Sequence, residues 1–161
     1  WRELSCLMDI KNYFELFNLP VAFSLDEKAL RERYLILQRV VHPDRFVNKS
    51  EPEKKSALQE SARINTAFHV LMSPVERALY LLSLAGVNDV EATTMDPSFL
   101  QQQMIWRERI EQKDESVYQA IKEKREALLQ EITVLFDRGD EKNLQRAKGK
   151  TQELQFILRL L

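Results

Sequence analysis

Three helix starts punctuate the N-terminal half of this 161-residue chain, and one tripeptide between them dictates where the chain must turn. Ser24-Leu25-Asp26-Glu27, Ser50-Glu51-Pro52-Glu53 and Ser73-Pro74-Val75-Glu76 all carry the spacing of a capping box. In such a box the serine hydroxyl accepts from a first-turn N–H, and the glutamate reaches back to the serine N–H. Pro52 and Pro74 are tolerated because the first turn leaves its N–H groups unpaired. Helices are therefore expected over 25–41, from 52 to about 72, and from Pro74 to Gly86, a natural left-handed terminator. His42-Pro43-Asp44 closes the first of these: Pro43 lacks an N–H and steers His42 away from the α region, so the helix ends near Val41. The loop that follows, about ten residues, is long for a helix–helix connection and reads as functional.

On the first helix Leu30, Tyr34, Leu37 and Val41 share a stripe about 60° wide, a core face. Lys28, Arg31 and Arg39 project on the other side with Glu32 among them, and the same wheel carries His42 onto this basic side. A solvated surface is the ordinary meaning of such charges. Their alignment with the emerging loop favours a docking surface. Asp44 can cap the turn and offers a fixed negative charge to a cationic partner. His42 raises the question of acid–base or metal chemistry. With only His69 and Cys6 besides, no zinc-ligand spacing and no nucleophile–base pair can be assembled. A recognition loop fits better than a catalytic one, and no catalytic residue, metal or cofactor is expected. Ala57, Ser61, Ile64, Phe68 and Leu71 form the expected buried stripe of the second helix, and the third carries Ala78, Tyr80, Leu81 and Leu82. Tyr13, Phe14, Leu16 and Phe17, within 9–19, suit a short helix closing the base of the hairpin.

Tyr13-Phe14-Glu15-Leu16-Phe17-Asn18-Leu19, a basic helix, His42-Pro43-Asp44 and Ile64-Asn65-Thr66-Ala67-Phe68 together resemble a J-domain. The resemblance implies that the loop and the basic helix engage an ATPase chaperone of the DnaK type and stimulate its ATP hydrolysis. Carried over are His42, Pro43 and Asp44, with Lys28, Arg31 and Arg39 as electrostatic contacts. Arg45 stands where many J-domains have lysine, and the charge is kept.

Three glycines and one cysteine rule out the glycine-rich tether and cysteine-rich zinc module with which general J-proteins continue. Instead, a polar connection over 87–96 leads to Asp96-Pro97 and three further helices, about 97–112, 114–138 and 141–161. Val117, Ile121, Leu128, Ile132 and Leu135 form a stripe on the second; Leu144, Ala147, Leu154 and Leu158 form one on the third. Short connections favour antiparallel neighbours and a three-helix bundle. Phe99, Trp106 and Ile110 supply the core face of the first bundle helix. Leu100 and Met104 fall on another side with Gln101 and Glu108, while Phe156 and Leu160 lie off the stripe of the last helix. Isolated exposed apolar side chains would look the same on a wheel, as would Leu100 and Met104 packed against the N-terminal domain. If they converge, they make an apolar patch with a polar rim, the anatomy of a partner site.

J-domain, Ser73-Pro74, Ala78-Leu79-Tyr80-Leu81-Leu82 and a small helical bundle together resemble the HscB-type co-chaperones of iron–sulfur cluster assembly, in their bacterial form. The likeness covers nearly everything from Met8 onward. It implies a bundle that binds the cluster scaffold protein (IscU type) through Leu100, Gln101, Met104, Glu108 and Phe156. It also implies a J-domain that presents the scaffold to a specialised chaperone (HscA type). Gln101 replaces a methionine of familiar members and Ile105 an acidic residue, so the apolar anchors stay while the polar contacts differ.

The expected architecture is all-α: a J-domain over 8–86, a linker over 87–96 and a three-helix bundle over 97–161. Trp1 to Leu7 reads as a leader or non-native extension ahead of a start at Met8-Asp9. A net charge of −1 gives no global attraction to nucleic acid or an anionic membrane. No apolar run approaches the roughly 20 residues a membrane-spanning helix needs. One cysteine is compatible with a reducing compartment, and the cytoplasm is expected. Two rival readings stand beside the adaptor: a J-protein delivering another client, and a structural helical protein whose tripeptide is coincidental.

Overall fold

The structure, a computed structural model, describes residues 11–87 and 96–161. The expected extension at 1–7, the helix start at Asp9 and most of the linker (88–95) lie outside the described residues. All regular structure among the described residues is helical: α1 (Tyr13–Leu16), α2 (Glu27–Val40), a 3-10 turn (Pro43–Phe46), α3 (Glu51–Met72), α4 (Pro74–Leu84), α5 (Pro97–Glu111), α6 (Ser116–Arg138) and α7 (Glu141–Ile157). The chain forms two compact units that divide between Arg77 and Ala78, inside α4.

In the N-terminal unit α2 and α3 form the hairpin. Leu30, Val41, Ala57, Ile64, Ala67 and Leu71 are buried, together with Phe14, Leu16 and Phe17 from α1. Tyr34 stacks on Phe68 at 4.1 Å between ring centroids. Its hydroxyl donates to Asn65 Oδ1 (2.9 Å), which also accepts from Gln38 Nε2 (2.7 Å), so the polar end of a core aromatic is satisfied across the hairpin. Arg33 reaches from α2 to the carbonyls of Phe17 and Asn18, the groups left without partners where α1 ends.

Helix starts and stops follow local chemistry, with corrections. Asp26, not Ser24, caps α2, accepting from the Ala29 N–H at 2.9 Å. Both are good caps; the helix simply begins two residues later. At Ser50 the expected box forms, the Glu53 carboxylate accepting from the Ser50 N–H (2.9 Å) and hydroxyl (2.7 Å). Ser73 Oγ accepts from the Glu76 N–H to open α4. Gly86, at φ 78°, ends α4 in a Schellman motif: Val87 N–H donates to Leu82 O and Gly86 N–H to Ser83 O.

The C-terminal unit is built on α6 and α7, which share the most extensive helix contact among the described residues. Val117, Ile121, Leu128, Ile132 and Leu135 are all buried on α6, as their spacing predicts. On α7 the buried residues are Ala147, Thr151, Glu153, Leu154 and Ile157. Leu158 is exposed, contrary to the expected stripe, and the helix stops at Ile157 rather than continuing to 161. Ile157 is the last residue of the helix and Leu158 its C-cap, so Leu158 stands where the helical face ends. Phe99 and Trp106 bury the core side of α5, edge to face at 6.3 Å, while Ile110 is only half-buried.

Candidate functional site

Two surfaces gather the residues singled out by the sequence. The first is the tip of the α2–α3 hairpin. Val41 caps α2, and His42 (φ −59°, ψ 133°) takes the extended backbone that a following proline imposes. His42 caps the 3-10 turn: its Nδ1 accepts from the Asp44 N–H at 3.3 Å, and its carbonyl from the Arg45 N–H at 3.0 Å. An accepting Nδ1 leaves the ring proton of a neutral imidazole on Nε2, as a donor. The Asp44 carboxylate lies 3.6 Å from Nδ1. The two side chains remain 58% and 87% exposed. The turn thus fixes the tip through the backbone while both functional groups face solvent.

Lys28, Arg31, Arg39 and Arg45 are exposed, and none has a carboxylate within ion-pair distance among the described residues. Beside the tip, Val41, Pro43, Phe46, Val47, Ala57 and Leu58 line an apolar groove of about 400 Å³ that sequence reasoning missed. Its signals were present: Phe46 and Val47 are paired apolar residues in a polar loop, and Leu58 lies off the core stripe of α3.

The second surface lies on the bundle. Leu100 (46% exposed) and Met104 (73%) point outward from α5 with Gln101 and Glu108. Glu108 accepts from the Gln112 side chain at 3.3 Å. Phe156, on α7, is half-buried rather than free, edge-on to Phe99 at 6.0 Å. The Arg107 guanidinium stands 5.3 Å from the Phe156 centroid. Leu100, Met104 and Arg107 step by four and three along α5, one line of the helix, so Arg107 links Phe156 to the two aliphatic residues. The sequence reading overlooked it, although that spacing was visible.

Among the described residues no group of His, Cys, Asp or Glu is arranged to hold a metal ion, and no helix is long and apolar enough to cross a membrane.

The family model described as HSCB C-terminal oligomerisation domain matches residues 95–161. The "Co-chaperone protein HscB homolog" of Shewanella baltica is 40% identical, over 92% of this chain and 92% of its own. That of Burkholderia thailandensis is 39% identical, over 92% and 89%. Among solved structures, chaperone HscB from Vibrio cholerae superposes with a TM-score of 0.83 at 32% identity, covering 93% of each chain. The human co-chaperone protein HscB gives 0.84 at 28%, covering 94% of this chain and 79% of its own. A helical hairpin bearing an exposed His-Pro-Asp tip, a C-terminal helical unit, and relatives of this identity along nearly the whole length lead to one assignment: the chain belongs to the HscB family of J-domain co-chaperones of iron–sulfur cluster assembly.

Proposed function

We propose that this protein is a non-enzymatic adaptor that presents an IscU-type scaffold protein to an ATPase chaperone of the DnaK/HscA type. Its functional regions are the J-domain at 8–86 and the scaffold-binding bundle at 97–161. His42, Pro43 and Asp44 dock on the ATP-loaded chaperone, with Lys28, Arg31, Arg39 and Arg45 steering the encounter. Leu100, Met104 and Phe156 anchor the scaffold, with Gln101 and Glu108 at the rim. Neither nucleic acid nor membrane is a partner, and the setting is the cytoplasm, which the bacterial relatives favour.

The observation that carries this reading is the tip: His42 and Asp44 are held by backbone hydrogen bonds yet keep their side chains in solvent. Side chains so positioned suit recognition. Two contacts on one chain raise the effective concentration of scaffold beside the chaperone without any new contact between those two. ATP hydrolysis then shifts the chaperone to its gripping state.

Sedimentation of an HscA-type chaperone with ATP, this protein and an IscU-type scaffold tests the bridge. A ternary complex is expected, lost with His42→Gln although the binary complex with scaffold survives. Scaffold that never sediments with this protein would point to another client.

A further inference from the structure

The solvent face of α2 carries two large aliphatic side chains where a helix with one covered side should be polar. Leu35 is 56% exposed and Ile36 59%, while Leu30 and Val41 are buried on the opposite side. The charged residues surround them. Leu35 stands four residues from both Arg31 and Arg39, and seven from Lys28; Ile36 stands four from Glu32 and three from Arg39. Those separations make them neighbours on a helix surface. A single exposed leucine needs no explanation. Two adjacent aliphatic residues, ringed by three cations without carboxylate partners among the described residues, have the anatomy of an anchor with a charged rim.

We propose that Leu35 and Ile36 are the apolar anchor of the chaperone-docking face, seating in an apolar depression bordered by carboxylates on the ATPase chaperone. This rests on the reading of the N-terminal unit as the chaperone-docking module. Charge selects the occupant: Lys28, Arg31 and Arg39 against Glu32 alone leave the rim cationic and call for an acidic partner surface. A second copy of this chain would bring the same cations face to face, since a two-fold contact pairs a patch with itself. An anionic membrane offers the charge, but membrane-surface helices bury a broad apolar face, and α2 offers only these two residues on that side. The division of labour is specific: the cations set how fast the surfaces meet, and the aliphatic pair sets how long they stay.

The test compares Leu35→Gln/Ile36→Gln with Arg31→Gln/Arg39→Gln in the full chain, binding to an HscA-type chaperone with ATP from about 50 to about 500 mM salt. All four positions are exposed, so thermal melts should match the parent. The aliphatic pair is expected to raise Kd roughly tenfold, through koff, with the salt dependence unchanged. The arginine pair is expected to slow kon and flatten the salt dependence. A Kd within about twofold of the parent for the aliphatic pair would overturn the anchor. So would an aliphatic-pair variant that alters self-association of the protein alone, or abolishes its binding to phosphatidylglycerol vesicles. His42→Gln in the same assay separates the layers: lost ATPase stimulation with unchanged behaviour of the aliphatic pair removes only the anchor. Retained stimulation removes the docking module and the anchor with it.

Discussion

Arg107 on α5 holds its guanidinium 5.3 Å from the centre of the Phe156 ring on α7, while Phe99 meets that ring edge to face. Phe156 is therefore both part of the bundle's packing and an edge of its outward patch. Met104 and Leu100, by contrast, are exposed. Alanine at Met104 or Leu100 should cost about 1–2 kcal/mol each in scaffold affinity with little change in stability. Phe156→Ala should cost comparable affinity and also about 1–2 kcal/mol of stability, through lost ring contacts. Calorimetric titration and urea unfolding read the two effects separately. Unchanged affinity in all three variants would remove the bundle from the site.

Arg77 is a buried cation of the N-terminal unit. Its Nη1 donates to Leu71 O at 2.6 Å, closing the C-terminal turn of α3, and its guanidinium stands 5.1 Å from the Phe23 centroid. Burial lowers its pKa from the usual value, opposed by Glu27, but an arginine stays charged in either case. Arg77→Ala should destabilise the fold by about 2–3 kcal/mol, from a charged hydrogen bond and the stem's packing. Arg77→Lys should recover only part, since an ammonium cannot reproduce the planar contact. Full recovery with lysine in urea unfolding would show that charge alone matters.

Asp96, Asp114 and Asp140 sit at helix starts with carboxyls held below the ordinary carboxylate value. The causes are the Ser98 hydroxyl, the Ser116 hydroxyl aided by Arg109, and the Asn143 N–H respectively. Their folded pKa values lie below the unfolded ones, so in acid the unfolded chain binds more protons. The stabilisation is complete above the unfolded value near about pH 4 and is lost as pH falls through the folded values. Urea midpoints should be level above about pH 5 and fall below about pH 4. Asp140→Asn keeps the cap but cannot titrate, so its acid limb should be shallower. An identical limb would remove Asp140 from the account.

Lys113 ends α5 at φ 59°, in a Schellman motif closed by Asp114 N–H to Arg109 O and Lys113 N–H to Ile110 O. A left-handed backbone costs an L-residue about 1–2 kcal/mol, partly offset because glycine loses more entropy on folding. Lys113→Gly should therefore stabilise by roughly 0.5–1 kcal/mol. A lower melting temperature would contradict this.

Where a side chain's role depends on its own helix, the sequence told it well. The α6 stripe, the box at Ser50, the stop at Gly86 and the break at Pro43 are local matters of period, capping and dihedral. Choices between near-equivalent local options were less secure. Ser24 and Asp26 are both good caps two residues apart, and Leu158 fell outside the buried face because the helix ends one residue before it. Long polar residues that find a partner on another segment left no trace in periodicity. Arg77, a charged residue on α4, is buried on the Leu71 carbonyl of α3. At the bundle surface Leu100 and Met104 were legible by exclusion from the core face. The spacing of Arg107 was visible too, but its contact was not, because the ring it meets is on a different helix.

In the adaptor proposed here, two surfaces on one chain hold two proteins at once. Steady-state ATP turnover by an HscA-type chaperone tests it most directly, measured with this protein, with an IscU-type scaffold, and with both. Stimulation by both should exceed the sum of each alone. His42→Gln should abolish it throughout, while Leu100→Ala/Met104→Ala should remove only the excess. Full stimulation by His42→Gln, or an excess untouched by Leu100→Ala/Met104→Ala, would contradict the claim.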